Sequence, residues 1–223
     1  MLSPKRITLF MGHYGSGKTN IAINYAHRIR ECGKAVAIAD LDIVNPYFRM
    51  KDSQEEMLRE GIDVIALPFA NSSVDLPALP SAAYSLVQNT ARYAVLDIGG
   101  DDRGALALGR FTPYIREENN FDVFFVANFY RPLTQNASDA LEVMREIEGA
   151  CGLPFTGIIN NSNLGAETTA ETVLRTTEHC EELCRISGLP LVFTSVEERL
   201  TAELSGQIPD LFPLKLQHRI FDM

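Results

Sequence analysis

Apolar residues come in short bursts along this chain, separated by longer stretches where they recur every three or four positions. The bursts predict strands: RITLFM at 6–11, AVAIAD at 35–40, DVIAL at 63–67, YAVLD at 93–97, DVFFVAN at 122–128, FTGIIN at 155–160 and LVFTS at 191–195. AVAIAD in particular lacks alternation, as a strand covered on both faces does. In TNIAINYAHRIREC, Ile21, Tyr25 and Ile29 recur every four residues with Ala22 and Ala26 beside them. That is one helix face, and Gly33 stops it. Further helices are expected around LPSAAYSLVQNTA, over 134–149 and 166–187, and briefly after the strand at 191–195, with a mixed stretch between 98 and 120. Strand alternating with helix predicts an α/β fold, a mostly parallel sheet of about seven strands with helices on both faces. No linker rich in Pro, Gly or Ser interrupts the order and no repeat is visible, so residues 1–223 are expected to form one domain.

Charge narrows the partners. The formal net charge of -9 argues against a broad footprint on nucleic acid or an anionic membrane. The final LKLQHRIFDM is short and carries few basic residues for a membrane-docking helix. No apolar run approaches a membrane span, and the one near the N-terminus is too short for a signal peptide, so a cytoplasmic protein is expected. The four cysteines, Cys32, Cys151, Cys180 and Cys184, form no C-x-x-C pair. Cys180 and Cys184 share a helix face; reduced, mostly buried thiols are the plain reading, a shared metal or cluster the rival one.

The chemistry concentrates in MGHYGSGKTN, residues 11–20. Gly12, four residues, then Gly17-Lys18-Thr19 is the spacing of a phosphate-cradling loop. Gly12, Gly15 and Gly17 let the backbone wrap an anion with its N–H groups inward; His13, Tyr14, Ser16 and Asn20 complete the loop and its exit. Lys18 supplies a mobile cation for the β- and γ-phosphates and Thr19 a hydroxyl for Mg²⁺. The following helix points its positive end at the same anion. The glycine spacing does not fit the dinucleotide signature.

Acids close two of the predicted strands, Asp40-Leu41-Asp42 and Asp97. Ligands of open parallel sheets lie beyond the carboxyl ends of strands. An acid there reaches a metal ion directly or through water, and one at Asp40 or Asp42 can orient the attacking water. A turn-capping role is the competing reading for Asp40 and Asp42. Asp97 precedes Gly99-Gly100, which let the chain pass close to a γ-phosphate, and Asp101 and Asp102 read as a solvated turn.

The stretches GHYGSGKTN, VAIADLDIVNPYFR, YAVLDIGGDD and GIINNSN together resemble the MinD/ParA/nitrogenase-iron-protein group of phosphate-loop ATPases, also called CobQ/CobB/MinD/ParA, along nearly the whole chain. The resemblance implies ATP and Mg²⁺ as cofactors, slow hydrolysis as a switch on partner binding, and a homodimer or a client protein as partner. By position it implies Gly12 to Thr19 as the loop, Thr19, Asp40 and Asp97 around the metal, and Lys18, Asp42 and Asp97 in catalysis. It also implies that Asn161, with Asn160 beside it, recognises adenine, with Thr194 to Val196 flanking the base. Turn chemistry in NNSN is the alternative for the two asparagines. One departure stands out: His13 occupies the place of the group's signature lysine. That leaves open whether ATP draws two copies together. Two other functions are kept. One is an ATP-dependent small-molecule kinase or ligase of the dethiobiotin-synthetase or cobyrinic-acid-amidase type, with Asn71, Ser72, Ser73 and Asp75 lining a substrate pocket. The other is a nucleotide-binding scaffold that does not hydrolyse.

Overall fold

Along β1 (Ile7–Met11), Ile7, Leu9 and Met11 turn to one apolar layer and Phe10 to the other. β4 (Tyr93–Ile98) and β5 (Phe121–Ala127) divide in the same way. A strand without alternation needs cover on both faces, and the helices supply it. The computed structural model describes residues 3–41, 50–66, 81–99 and 108–216. Within them lie eight parallel strands in the order β3-β2-β4-β1-β5-β6-β7-β8, with β2 at Val36–Leu41, β3 at Ile62–Ala66, β6 at Gly157–Asn160, β7 at Leu191–Glu197 and β8 at Leu211–Leu214.

One face is covered by α1 (Lys18–Glu31) and α2 (Met50–Arg59), through Ile21, Tyr25, Ile29 and Met57. The other carries α3 (Ser81–Gln88), α4 (Thr112–Glu118) and α5 (Ala137–Cys151). After two further helices, α6 (Ala170–Leu174) and α7 (Thr177–Ser187), the short α8 (Thr201–Leu204) precedes β8.

Seven strands appear where the apolar bursts predict them, within about two residues at the ends. Three features differ from the expectation. The eighth strand, LFPL, contains Pro213, which reads as a strand breaker; β8 is an edge strand, where a missing N–H costs least. The expected helix over 166–187 is broken into a 3-10 turn, α6 and α7. Thr169 caps α6 by accepting from Thr172 N–H, and the Thr176 hydroxyl donates to Val173 O between the helices. α2 forms in a segment assigned no helix from the sequence.

Side chains lock the ends of the sheet. At the amino end, the buried Arg6 guanidinium pairs with Glu118 and donates to the carbonyls of Leu86 and Val87, closing the last turn of α3. Nearby, burial pushes the Asp122 carboxyl above its ordinary range, against the opposing pull of the Thr156 hydroxyl. Beyond β8, Asn24 of α1 grips Lys215. Its amide donates to Lys215 O at 3.0 Å and accepts from Lys215 N–H at 2.9 Å. The carboxyl end of the central strands carries the glycine loop.

Candidate functional site

The loop leaves β1 at Gly12, whose φ is +152°; a Cβ there would collide with Val126 O on the neighbouring strand. It enters α1 at Gly17, φ +89°, where a Cβ would overlap Asn161 Nδ2. Glycine is therefore demanded at both ends by close approach as well as by conformation. Between them the loop carbonyls are taken by side-chain donors. Lys18 Nζ donates to Gly12 O at 2.9 Å and His13 O at 3.2 Å. Arg131 Nε donates to Gly15 O at 2.9 Å, and Asn161 Nδ2 to Ser16 O at 2.6 Å. Within the loop Ser16 N–H donates to His13 O, and the other loop N–H groups, with those of the first turn of α1, suit an anion.

Three polar atoms at the loop are buried without a hydrogen-bond partner among the described residues: Ser16 Oγ, His13 Nδ1 and Asn20 Oδ1. Ser16 is 1% exposed. Orphaned polar atoms are costly in a protein interior, so their gathering at one loop fits it to a polar ligand. Tyr14, at the crest, is 58% exposed.

The acids meet the loop from the other side. Thr19 Oγ1 donates to Asp97 Oδ2 at 2.6 Å, joining the start of α1 to the end of β4. Asp40 is the registered neighbour of Asp97 across β2 and β4, and both are buried, at 9% and 1% exposure. Flanking residues Ala39, Leu41, Leu96 and Ile98 pack in the opposite layer, so both carboxylates share the α1 face. A hydroxyl and two carboxylates are hard oxygen donors that suit Mg²⁺. No cluster of three or more His, Cys, Asp or Glu stands together among the described residues, so phosphate oxygens and water would complete such an ion's shell. Asp42 lies outside the described residues, as do Asp101, Asp102, Asn71, Ser72, Ser73 and Asp75.

The structure gives the two asparagines of NNSN different surroundings. Asn160 is turned into its own turn: its Oδ1 accepts from Ser162 N–H and Oγ, and its Nδ2 donates to Thr176 Oγ1. Asn161 joins the loop to β7, donating to Ser16 O and accepting from Ser195 Oγ at 2.7 Å. Both amides are thus engaged within the protein. Sequence reasoning missed Arg131. It stands in FYRPLT after β5, held by Arg131 N–H to Asn128 O and by the Thr134 hydroxyl to the same carbonyl. A lone cation at a strand's carboxyl end, followed by proline, was the available signal. All four thiols are free; the neighbouring Cys184, then burial, raise the Cys180 thiol above its ordinary range, and Cys180 in turn lowers that of Cys184.

An all-parallel sheet with such a loop after its first strand is a P-loop NTPase fold, and solved structures agree. The cell division protein FtsY of Thermotoga maritima superposes with a TM-score of 0.61 at 17% identity, covering 89% of this chain and 64% of that one. Chloroplast FtsY from Physcomitrella patens gives 0.57 at 18%, covering 89% and 60%. The signal recognition particle receptor FtsY from Elizabethkingia anophelis, in complex with GDP, gives 0.52 at 17%, covering 88% and 58%. This chain spans less than two thirds of the length of each, and at such identity the shared property is the fold. No family model and no curated protein matches the chain.

Proposed function

We propose that this protein binds a purine nucleoside triphosphate with Mg²⁺ and hydrolyses it slowly, as a switch on the binding of a partner. The observation that carries the reading is the Thr19–Asp97 hydrogen bond of 2.6 Å beside a phosphate-type loop. It sets side by side a hydroxyl and a carboxylate that would together hold Mg²⁺ beside a bound triphosphate. Mg²⁺ there would neutralise charge on the phosphate oxygens. Lys18 would exchange the carbonyls of Gly12 and His13 for those oxygens, and Ser16 Oγ would gain its missing partner. In hydrolysis, water attacks the γ-phosphorus, the bond to the β–γ bridging oxygen breaks, and the diphosphate leaves with that electron pair. Asp40 and Asp42 are the acids proposed near the water and the metal shell.

ATP is the proposed nucleotide, on the sequence resemblance; the GDP complex of one FtsY makes GTP the competitor to test. Exposed apolar side chains near the loop, Tyr14 and Leu133, support a protein partner, either a client or a second copy. Titration of the protein with ATP and with GTP, each with and without Mg²⁺, tests the reading. Tighter ATP binding is expected, and Lys18→Ala should weaken it about a hundredfold, ~2.7 kcal/mol. Mg²⁺-independent or absent binding in the wild type would refute the nucleotide reading, and equal or tighter GTP binding would refute the choice of ATP.

A further inference from the structure

Arg131 is placed where nothing in the loop motif requires a residue. It is half-buried, and only its Nε is committed, to Gly15 O at 2.9 Å. Its two terminal amino groups make no hydrogen bond among the described residues. The turn that carries it is built firmly. Asn128 Oδ1 accepts from Tyr130 N–H and Asn163 N–H, and the Tyr130 hydroxyl donates to Thr172 O. Guanidinium has five donors in a planar fork, and a half-buried fork using one of them is poised for an acceptor-rich ligand.

The sheet order says which part of a nucleotide that is. The two carboxylates and Thr19 lie toward β4 and β2, on one side of β1, and a metal-bound β,γ-phosphate end belongs with them. β5, β6 and β7 lie on the other side of β1, with Arg131 following β5. A triphosphate anchored at the acids and threaded over the loop must leave the site with its nucleoside on that second side.

Resting on the nucleotide reading above, we propose that Arg131 is a nucleotide-binding residue whose terminal amino groups hold the nucleoside end, the ribose or base, while Nε stays on Gly15 O. The fork then links the crest of the phosphate loop to the part of the ligand that inorganic polyphosphate lacks.

A pair of substitutions separates this role from bracing of the loop. In Arg131→Gln the side-chain amide nitrogen falls at the same distance along the chain as Nε. The hydrogen bond to Gly15 O can survive while the fork and its charge are lost. Arg131→Ala loses both. The probes are Mg·ATP and Mg·GTP, whichever the wild type binds, and Mg·tripolyphosphate, measured by calorimetry. Both variants are expected to bind the nucleoside triphosphate about ten- to a hundredfold more weakly, the worth of a charge-assisted hydrogen bond, and tripolyphosphate within twofold of wild type. A Gln variant that binds nucleotide like wild type, or variants that lose nucleotide and tripolyphosphate equally, would overturn the assignment to the nucleoside end. A wild type that binds neither probe would instead sink the nucleotide reading itself, so the two failures are distinct.

Discussion

The two flanks of the glycine loop are built on different chemistry. Toward β4 and β2 stand carboxylates and one hydroxyl, Asp97, Asp40 and Thr19, with charge packed into a small buried volume. Toward β5, β6 and β7 stand amides, hydroxyls and one guanidinium: Asn128, Asn160, Asn161, Ser162, Ser195 and Arg131. Buried carboxylates that share one face offer hard oxygen donors to a cation. Amides and hydroxyls satisfy each other and form a rigid frame without a ligand's help. One flank is therefore arranged to respond to the ligand and the other to hold the loop still.

The sharpest way to break this contrast is Asp97→Asn. The amide keeps an acceptor for the Thr19 hydroxyl but removes the charge. Mg²⁺-dependent phosphate release should fall about a hundredfold or more, ~2.7 kcal/mol in the barrier. Undiminished release would mean that the acid flank is not the metal flank.

Asn161→Ala probes the frame. It removes the hydrogen bonds to Ser16 O and Ser195 Oγ, and the protein should lose about 1–3 kcal/mol of stability in urea titrations. Phosphate release at saturating nucleotide should change less than in Asp97→Asn. If the stability holds and only the adenine-over-guanine preference disappears, Asn161 reads the base, as the sequence resemblance implies.

The smallest effect serves as a control far from both flanks. Asp122 carries a raised carboxyl pKa because burial disfavours its charge. Its contribution is unfavourable at neutral pH and is relieved as the pH falls through the folded-state value. Asp122→Asn should thus stabilise the protein at pH 7 by about a few tenths of a kcal/mol, since solvent screens a half-exposed group. The gain should vanish below about pH 4, where the carboxyl is protonated in both folded and unfolded chains. Thermal melts at the two pH values decide it, and a gain that persists in acid would assign it to something other than charge.

How readily each part could be read from the sequence follows the range of the contacts involved. The loop is local: Gly12, Gly17, Lys18 and Thr19 sit within eight residues, and a strand before and a helix after them use the same signals. Asp97 was legible because an acid ending an apolar strand has few bland explanations. Asn161 was found, but its partners were not, since Ser16 and Ser195 are distant in the chain and no periodicity connects them. Arg131 was missed for the same reason, its contact spanning 116 residues. The broken helix after β6 failed differently: the segment reads as one long polar helix, and the local hydrogen bonds of Thr169 and Thr176 that divide it were not weighed.

The grip of Asn24 on Lys215 has a consequence for the order of events during synthesis. The helix that carries Lys18 and Thr19 is made early, yet one of its polar side chains finds its partner 191 residues later. A nascent chain that has emerged only as far as β7 has its phosphate loop and both acids but lacks the strand and backbone that dock beside α1. Such a chain reaches its full grip on α1 only when β8 and Lys215 arrive. Docking of the helix that carries Lys18 and Thr19 is thereby completed only after β8 and Lys215 have been made.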